Sequence, residues 1–400
     1  MPCRWIEPRG RAGKLGSPWF RGIGLVSLGF LGLAGCGARP AVLPAVPAQP
    51  LVARLGDPRP LVPHPITGQA VSVLQRGHAF WLAMKTPHGI VVTRTQGQRR
   101  AQFTLPSAAA CSAAGVLQAG ASALLVTGCT QVWILHHHQW APAKLPSLLG
   151  GPQDFTLDGS GWWLLGFGAG ASGGEAVTLW RSSNAGGAWA RVAASGNGLT
   201  SAPPHSLPYY GDKTGIAVSP AQQVWLTGIT AGEGMAWLYR SGPGGRTWTP
   251  VSLGVPKAWT RAELASYPPV WASAHQGYLP VTVDGPTFTG IAVYTVNGLH
   301  TTWTSASSIP APSLLTARFS LAVATPRSVW VATGRNLWAS TDGGYDWRAT
   351  WRLPPDWTFA GVSFSGRQDG VLLAMRRHGT TFDYAVWQTS NEGKTWTHRG

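Results

Sequence analysis

A repeated turn sequence constrains the fold of this chain more than any other feature. Its unit starts with an apolar and an aromatic residue, continues with Ser or Thr and then Gly, and ends with a Trp nine residues after the aromatic. Four copies follow this pattern, at residues 179–189, 238–248, 337–347 and 386–396. Three weaker copies run from Tyr294 to Trp303, from Trp133 to Trp140 and from Val91 to Phe103. Regular recurrence of one unit is typical of an architecture built from similar supersecondary blocks.

A second apolar run precedes each of these units. The seven runs lie at residues 80–83, 124–126, 162–165, 224–226, 278–279, 329–331 and 371–373. Dividing residues 71–400 among the seven pairs gives about 47 residues per repeat, which is in the range of a four-stranded propeller blade. Apolar and polar residues do not alternate cleanly in these runs, as expected of strands that neighbouring blades cover on both faces.

The composition agrees with an all-β fold. Charged residues make up 12% of the chain, about half the usual share of ~25%. The 52 Gly and 32 Pro supply turns between short strands, and the 22 Trp favour pleated, half-buried surfaces. We therefore predict an all-β chain with a single β-propeller of seven four-stranded blades, at residues 71–105, 106–147, 148–195, 212–253, 267–308, 318–353 and 358–400.

Residues 1–35 have the layout of a signal peptide for export. A basic region is followed by an apolar run of 11 residues, 23–33, whereas about 20 are needed to span a bilayer. The motif that closes the segment, Leu33-Ala34-Gly35-Cys36, resembles the lipobox of bacterial lipoproteins. The resemblance implies that Cys36 is lipidated and anchors the protein at the outer face of the cytoplasmic membrane. The alternative is an ordinary secretory signal with an incidental Cys.

Residues 36–70 contain eight prolines, and a segment of this kind favours an extended polyproline conformation. Proline lacks the N–H group that a sheet needs, so we expect no strand pairing in this segment. We interpret it as a tether between the lipid anchor and the propeller.

Two cysteines, Cys111 and Cys129, remain in the mature chain beside the anchoring Cys36. They flank a hairpin-like run, residues 116–125, and lie equally far from Gly120, which we place in its turn. Equal distance from a turn places two residues opposite each other on antiparallel strands, and export exposes thiols to oxidising surroundings. We predict a Cys111–Cys129 disulfide; two buried free thiols are the alternative.

A thiol titration distinguishes these two states. If the disulfide forms, the mature protein unfolded without reductant should show no free thiol, because both sulfurs are engaged in the bond. A count of two free thiols under the same conditions would refute the pairing. The same protein unfolded after reduction is the control and should show both thiols.

The repeat unit resembles the Asp-box, also called the BNR repeat, with the sequence Ser-x-Asp-x-Gly-x-Thr-Trp. Residues 340–347 and 389–396 match it well, 182–189 has Asn in place of Asp, and 241–248 has Pro243 where the acid belongs. The resemblance implies structural turns between the third and fourth strands of blades, where Ser and Asp oxygens satisfy the backbone and Gly supplies a positive φ. The box residues are Ser182, Asn184, Gly186, Trp189, Ser241, Gly245, Trp248, Ser340, Asp342, Gly344, Trp347, Thr389, Asn391, Gly393 and Trp396.

Asp-box propellers carry ligands on the face opposite the boxes, so the resemblance directs attention to the loops on that face. The longest of these loops are residues 192–213 and 251–270. They and the seventh blade supply aromatic and basic side chains, which are typical of binding loops. The predicted binding residues are Tyr209, Tyr210, Lys213, Trp259, Arg261, Arg376 and Arg377, and ordinary solvated loops are the alternative.

Carboxylates on the same face are weak candidates for catalysis. Glycoside hydrolysis uses a pair of carboxyl groups, and Glu233, Glu263 and Asp284 are the ones available there. Sialidases, the best-known Asp-box enzymes, carry an Arg-Ile-Pro motif near the start of the domain, and this sequence has none. We therefore predict no enzymatic activity, with a sialidase-like glycoside hydrolase as the alternative.

The remaining features favour neither a metal nor a cofactor. Of three consecutive histidines only His136 and His138 would share a face of a strand, and two ligands without a third make a weak metal site.

The full chain carries a net charge of +16. The mature chain, with 26 basic and 14 acidic residues, carries about +12. These charges are scattered, and export makes a nucleic acid an unsuitable partner.

The boxes and the signal together are similar to the photosystem II stability and assembly factor family, whose members are seven-bladed, membrane-associated assembly helpers. The similarity is one of architecture. It implies a monomeric, non-enzymatic binding scaffold, held at the membrane by its lipid, that engages a protein partner with its loop face and serves a membrane complex as an assembly or stability factor. The alternative is a carbohydrate-binding or glycoside hydrolase propeller that takes a glycan.

Overall fold

The structure is a computed structural model that describes residues 51–52, 57–86, 89–106, 116–119, 124–128, 131–136, 139–146, 153–157, 161–171, 174–195, 206–230, 233–297, 303–311, 319–379 and 381–399. All of these fall within one compact unit, Ala45–Gly400. The predicted signal peptide, Cys36, Cys111 and Cys129 lie outside the described residues, so lipidation and the disulfide stay predictions. The only helix among the described residues is a short 3-10 turn, Lys257–Trp259, and none is long and apolar enough to cross a membrane.

The strands form seven sheets that follow one another along the chain. Three two-residue strands come first: β1 (Leu51–Val52), β2 (Arg59–Pro60) and β3 (Ile66–Thr67). Sheet 1 contains β4 (Gln69–Arg76), β5 (Ala79–Thr86), β6 (Gly89–Gln96) and β7 (Arg99–Pro106), and sheet 2 contains β8 (Val116–Ala119), β9 (Leu124–Gly128), β10 (Gln131–His136) and β11 (Gln139–Pro142). Sheet 3 contains β12 (Gln153–Leu157), β13 (Trp162–Ala171), β14 (Gly174–Ser182) and β15 (Ala190–Ala194), and sheet 4 contains β16 (Asp212–Val218), β17 (Val224–Thr230), β18 (Met235–Ser241) and β19 (Trp248–Pro250).

The last three sheets continue this order. Sheet 5 contains β20 (Glu263–Ser266), β21 (Val270–Trp271), β22 (Gln276–Asp284), β23 (Thr289–Asn297) and β24 (Thr304–Pro310), with β20 and β21 both paired to β22. Sheet 6 contains β25 (Phe319–Val323), β26 (Val329–Thr333), β27 (Asn336–Ser340) and β28 (Arg348–Arg352), and sheet 7 contains β29 (Thr358–Ser365), β30 (Asp369–His378), β31 (Thr381–Thr389) and β32 (Thr397–Arg399). Within each sheet these neighbouring strands are antiparallel, which confirms the predicted all-β class.

Hydrophobic side chains pack between adjoining sheets. All five residues of β26 are buried, as are the first five of β17. The described core divides into seven clusters, which join sheets 1 and 2, 2 and 3, 3 and 4, 4 and 5, 5 and 6, 6 and 7, and 7 and 1. Because neighbours cover a sheet on both faces, its inner strands have no polar alternation.

Sheets 1 and 7 are in contact although they stand at opposite ends of the chain. The backbone N–H of Gln75 donates to Ser363 Oγ at 3.0 Å, and that of Gly77 donates to Ser365 Oγ at 2.8 Å. These bonds link β4 to β29, and a cluster of buried side chains from both sheets packs beside them. The contact thus uses hydroxyl groups and hydrophobic packing.

The proline-rich segment pairs with sheet edges, which corrects the expectation that it would not. β1 is parallel to β24, β2 is parallel to β28, and β3 is antiparallel to β31. Each pairing is two residues long and lies at an edge, where the N–H that Pro60 lacks is not required. Leu61 then donates its N–H to Arg352 O at 2.9 Å and is 4% exposed. We call residues 57–67 the N-terminal strap.

The register of β8 and β9 changes the premise of the disulfide prediction. Ala119 pairs with Leu124, so the hairpin is centred between residues 121 and 122 and not on Gly120. The two cysteines are therefore not equally distant from the centre of the turn. The observed register differs by three residues from the one that a turn centred on residue 120 would give, and such a difference depends on side-chain packing across the strands and is not visible in a count of residues.

The four recognisable repeat units form turns between the third and fourth strands of sheets 3, 4, 6 and 7. We call residues 182–189, 241–248, 340–347 and 389–396 the box turns. In the box turn of sheet 6, Ser340 Oγ accepts the Gly344 N–H at 2.8 Å and donates to Asp342 Oδ1 at 2.8 Å. The turns of sheets 3 and 7 repeat the bond from glycine to hydroxyl at 2.9 and 3.0 Å. One hydroxyl thus organises both the backbone and the acid or amide of the turn.

The box glycines allow neighbouring sheets to approach each other. Their φ angles lie between 68° and 88°, in the left-handed region that favours glycine. A Cβ at Gly245 would lie 2.9 Å from the ring of Trp163 in the preceding sheet, and one at Gly393 would lie 2.5 Å from Trp330. The absence of a side chain therefore gives an aromatic ring of the preceding sheet the room to pack on the turn.

The box turn of sheet 4 lacks the acid and has a different hydrogen-bond pattern. Pro243 takes the acid position, and the buried Ser241 Oγ has no hydrogen-bond partner among the described residues. The Gly245 N–H donates instead to Gly242 O at 3.2 Å. Trp248 Nε1 still donates to Gly245 O at 3.0 Å, so this contact does not require the acid.

Two buried serines at equivalent positions provide a matched test of the hydroxyl bond. Ser340→Ala removes the acceptor of the Gly344 N–H and the donor to Asp342, and should lower the free energy of unfolding by about 1–3 kcal/mol. Ser241→Ala removes a hydroxyl without a partner and should leave the free energy of unfolding unchanged or raise it. Chemical denaturation measures both variants; equal losses would show that the hydroxyl bond does not hold the turn.

Candidate functional site

The predicted binding residues lie at the end of the sheets opposite the box turns, which we call the loop end. This end is built from turns between second and third strands and from the connections that lead into the next sheet. Several residues expected in loops belong to strands: Lys213 to β16, Glu263 to β20, and Arg376 with Arg377 to β30. Their backbones are therefore fixed by sheet pairing.

Lys213 is buried, which corrects its assignment as a binding residue. Its side chain is 6% exposed. The Nζ group donates to the carbonyl oxygens of Glu175, Tyr209 and Gly211 at 2.8, 2.7 and 2.8 Å. All three ammonium protons are thus used inside the protein, and they hold the connection before sheet 4 against the start of β14.

The surroundings of Lys213 shift two ionisation equilibria. Burial lowers the pKa of Lys213 to about 8, against an opposing effect of the neighbouring Glu175 carboxylate. Burial also raises the pKa of Glu175, although the backbone N–H of Lys213 donates to Glu175 Oε2 at 3.1 Å and opposes the shift. Glu175 carries no motif in the sequence, and only the pairing of sheets 3 and 4 brings it to Lys213.

The two adjacent tyrosines have different roles. Tyr209 packs over Gly174, a position where no Cβ would fit beside its ring. Tyr210 is 56% exposed, and its ring centroid lies 6.2 Å from that of Tyr209. Tyr209 therefore positions the connection, whereas Tyr210 presents its ring to solvent.

Trp259 is also buried and is not an exposed binding residue. It lies in the 3-10 turn, is 2% exposed, and stacks on Phe288 at a centroid distance of 5.9 Å. An aromatic in a long connection is often read as a binding group, but here it covers the core of sheet 5. The nearby Arg261 is exposed.

The three candidate carboxylates meet at the boundary of sheets 4 and 5. Glu263 pairs with Asp284 across β20 and β22, and Leu264 N donates to Gly234 O at 2.6 Å, which places Glu233 beside them. Asp284 accepts a hydrogen bond from Thr289 Oγ1 at 3.1 Å. Glu233 and Glu263 are exposed, whereas a carboxylic acid tuned for catalysis is normally desolvated.

Arg376 and Arg377 lie in sheet 7, two sheets beyond this acidic group in chain order. Arg376 Nε lies 3.0 Å from Asp383 Oδ2, and its Nη1 lies 2.9 Å from Asp356 Oδ2. Its guanidinium also stacks over Trp357, 5.1 Å from the ring centroid. Arg376 therefore has its charge balanced internally, and Arg377 is the exposed member of the pair.

Apolar side chains at the loop end of sheet 4 are exposed without any signal in the sequence. Met235 is 57% exposed at the start of β18, and Val255 is 40% exposed in the connection from sheet 4 to sheet 5. Apolar residues in such positions are normally covered, so sequence alone could not identify them. We call Tyr210, Glu233, Met235, Val255, Arg261 and Glu263 the loop-end patch.

The order and packing of the sheets define a β-propeller, and the comparisons with solved structures agree. An ulvan lyase of polysaccharide lyase family PL25 matches with a TM-score of 0.53 and 10% identity, covering 88% of this chain and 96% of that chain. A puromycin hydrolase matches with a TM-score of 0.51 and 17% identity, covering 83% of this chain and 54% of that chain. No family model and no curated protein matches this sequence. At these identities the likeness shows the fold alone.

No metal site was found in the described part of the chain. No group of three or more His, Cys, Asp and Glu side chains there could hold an ion. His137 and His138 lie outside the described residues, so what we expect of the histidine run stays a prediction.

The stability of the protein should depend on pH through Lys213. Folded Lys213 releases its proton near pH 8, whereas a lysine at the ordinary value of 10.5 keeps it, so the unfolded state binds more protons between these values. The free energy of unfolding of the native protein should therefore rise with pH in this window relative to Lys213→Met. At pH 7 the same variant should be less stable, because three carbonyl oxygens lose their donor.

Denaturant unfolding between pH 7 and pH 10 measures both effects. The exposed Lys257→Met is the matched control and should follow the native pH dependence. Parallel curves for the native protein and Lys213→Met would contradict the assignment of the titration to Lys213.

Proposed function

We propose that this protein is an exported, lipid-anchored β-propeller of seven blades that acts as a non-enzymatic binding scaffold for a protein partner. In this proposal each sheet is one blade, and the four box turns are Asp-boxes. The lipid on Cys36 would hold the propeller at the outer face of the membrane, where an assembly or stability role for a membrane complex would be exercised.

Seven clusters between seven sheets support the blade count and a closed ring. Every adjoining pair of sheets shares one cluster, including sheets 7 and 1. Within that last pair, His78 Nδ1 lies 3.0 Å from Asp369 Oδ2 and adds a polar contact to the seam. A ring of this kind buries the flat faces of all its sheets and leaves the two ends of the strands for binding.

The loop-end patch is the observation that carries the proposal. Of the five large hydrophobic side chains exposed among the described residues, Tyr210 and Met235 lie at this end of sheet 4 and Val255 lies in the connection from sheet 4 to sheet 5. Glu233, Arg261 and Glu263 are exposed on the same turn and connection. A group of apolar side chains with a charged rim is typical of a protein–protein interface, whereas singly scattered apolar residues need no explanation.

The internal use of Lys213 and Arg376 favours binding over catalysis. Both cations are satisfied by groups of the protein itself, and neither is presented to a ligand. The glycoside hydrolase alternative would use the carboxylates of Glu263 and Asp284. Glu263 is exposed, however, which suits an ion pair with a protein partner.

Photo-crosslinking in host membranes tests the proposed interface. A photoreactive phenylalanine analogue at position 210 should yield one stoichiometric protein adduct, because Tyr210 is the aromatic residue that the patch exposes to solvent. Tyr345, 45% exposed in a box turn at the other end, is the matched control position and should not yield that adduct.

A pair of substitutions provides the second arm of the test. Tyr210→Ser with Met235→Lys should abolish co-purification of the adduct protein, whereas Tyr345→Ser should retain it. Identical adducts from positions 210 and 345, or no protein adduct at 210, would overturn the assignment of the loop end as the partner surface.

A further inference from the structure

A groove of about 1050 Å³ opens at the box-turn end between sheets 6 and 7. Its walls come from three separate parts of the chain. The turn at residues 325–328 and strand β28 supply one side, the box turn of sheet 7 supplies the other, and the N-terminal strap closes the rim with Arg59. The groove therefore exists only when the strap and both sheets are assembled.

Positive charge dominates the lining of this groove. Its charged side chains are five cations and two carboxylates: Arg59, Arg327, Arg348, Arg367, Lys394, Asp57 and Glu392. The difference, five minus two, leaves three uncompensated positive charges within one concave volume. A concentration of like charge inside a cleft raises the local concentration of counter-ions beyond the effect of the same charges on a flat surface.

The distribution of the two kinds of charge is uneven. Glu392 forms an ion pair with Arg367, and its Oε2 lies 3.9 Å from Lys394 Nζ, so the acid compensates the cations of the sheet 7 wall. Arg327 and Arg348 stand on the opposite wall. Arg348 Nε lies 3.9 Å from Asp346, but both groups are exposed, and an ion pair of this kind contributes little.

The base of the groove is aromatic and apolar. Trp330 and Ala339, from the cluster of sheets 6 and 7, line it, and the indole of Trp351 forms part of the wall. Trp351 Nε1 donates to Gly393 O at 3.3 Å, which ties the indole to the box turn of sheet 7. The Arg59 guanidinium lies 5.5 Å from the centre of the same indole and donates to Lys394 O at 3.1 Å.

We propose that this groove binds an anionic glycan, a sugar chain that carries carboxylate or sulfate groups. The cations on two walls match anionic substituents, and the apolar base matches the C–H faces of sugar rings. The volume is at the upper end of the range of ligand sites, about 300–1,000 Å³, and accommodates a short oligosaccharide segment. The site is at the opposite end of the propeller from the loop-end patch and does not depend on the proposed protein partner.

Binding of defined polymers to the full chain tests this assignment. Dextran sulfate and polygalacturonate are the two anionic probes, neutral dextran controls for the sugar backbone, and poly-L-glutamate controls for charge without sugar. We expect at least one anionic polysaccharide to bind, neutral dextran not to bind, and the affinity to fall as salt is raised. Poly-L-glutamate binding as tightly as the anionic polysaccharides would overturn the glycan assignment.

Matched charge removals locate the site. Arg327→Gln with Arg348→Gln should weaken binding of the anionic polysaccharide about tenfold, because both uncompensated cations of one wall are lost. Arg191→Gln with Arg246→Gln removes the same charge from exposed arginines near the box turns of sheets 3 and 4. This control should change the affinity less than about twofold, because its arginines lie outside the groove. Equal weakening by both pairs would show diffuse attraction to a basic surface and would overturn the groove as the site.

Discussion

The surface of a box glycine, which has no side chain and is held at positive φ, allows neighbouring sheets to pack closely at the box turns. In sheets 3, 6 and 7 the glycine N–H bonds to the Ser or Thr hydroxyl, whereas Gly245 of sheet 4 keeps a positive φ and contacts a ring of the preceding sheet without that bond. In sheet 7 the ring is Trp330, which belongs to the cluster shared with sheet 6. A local turn thus controls a long-range contact, and the packing between sheets follows from the turn.

The fold was accessible from sequence because its signals are local. Runs buried on both faces, nine-residue box spacing and abundant Gly predicted an all-β chain, and the sheets confirm that class. The strap was not accessible, because its pairing partners lie about 300 residues away and proline content argued against pairing. The burial of Lys213 and Trp259 was not predicted either, because it depends on the packing of neighbouring strands and sheets: β14 supplies one carbonyl partner of Lys213, and Phe288 stacks on Trp259.

The two ends of the sheets differ in how their surfaces are formed. At the box-turn end, short turns follow a fixed hydrogen-bond pattern, so variation is confined to the side chains that project between them, as in the groove of sheets 6 and 7. At the loop end, long connections need internal fastening, and Lys213 with its three carbonyl partners provides it. The residues left exposed at this end are apolar and charged side chains together, a mixture typical of a protein interface.

The seam between sheets 1 and 7 determines how the strap contributes to stability. The sheets are joined by a shared cluster and by two hydroxyl bonds; the strap takes no part in those two bonds, but its Ile66 packs against the cluster. The strap adds two-residue pairings at the outer edges and the buried Leu61, which packs in the cluster of sheets 6 and 7. Loss of the strap would therefore expose strand edges and Leu61 and would remove Ile66 from the cluster at the seam. The strap therefore covers sheet edges and completes the basic groove with Arg59, whereas most of the contact between sheets 1 and 7 comes from residues of the two sheets themselves.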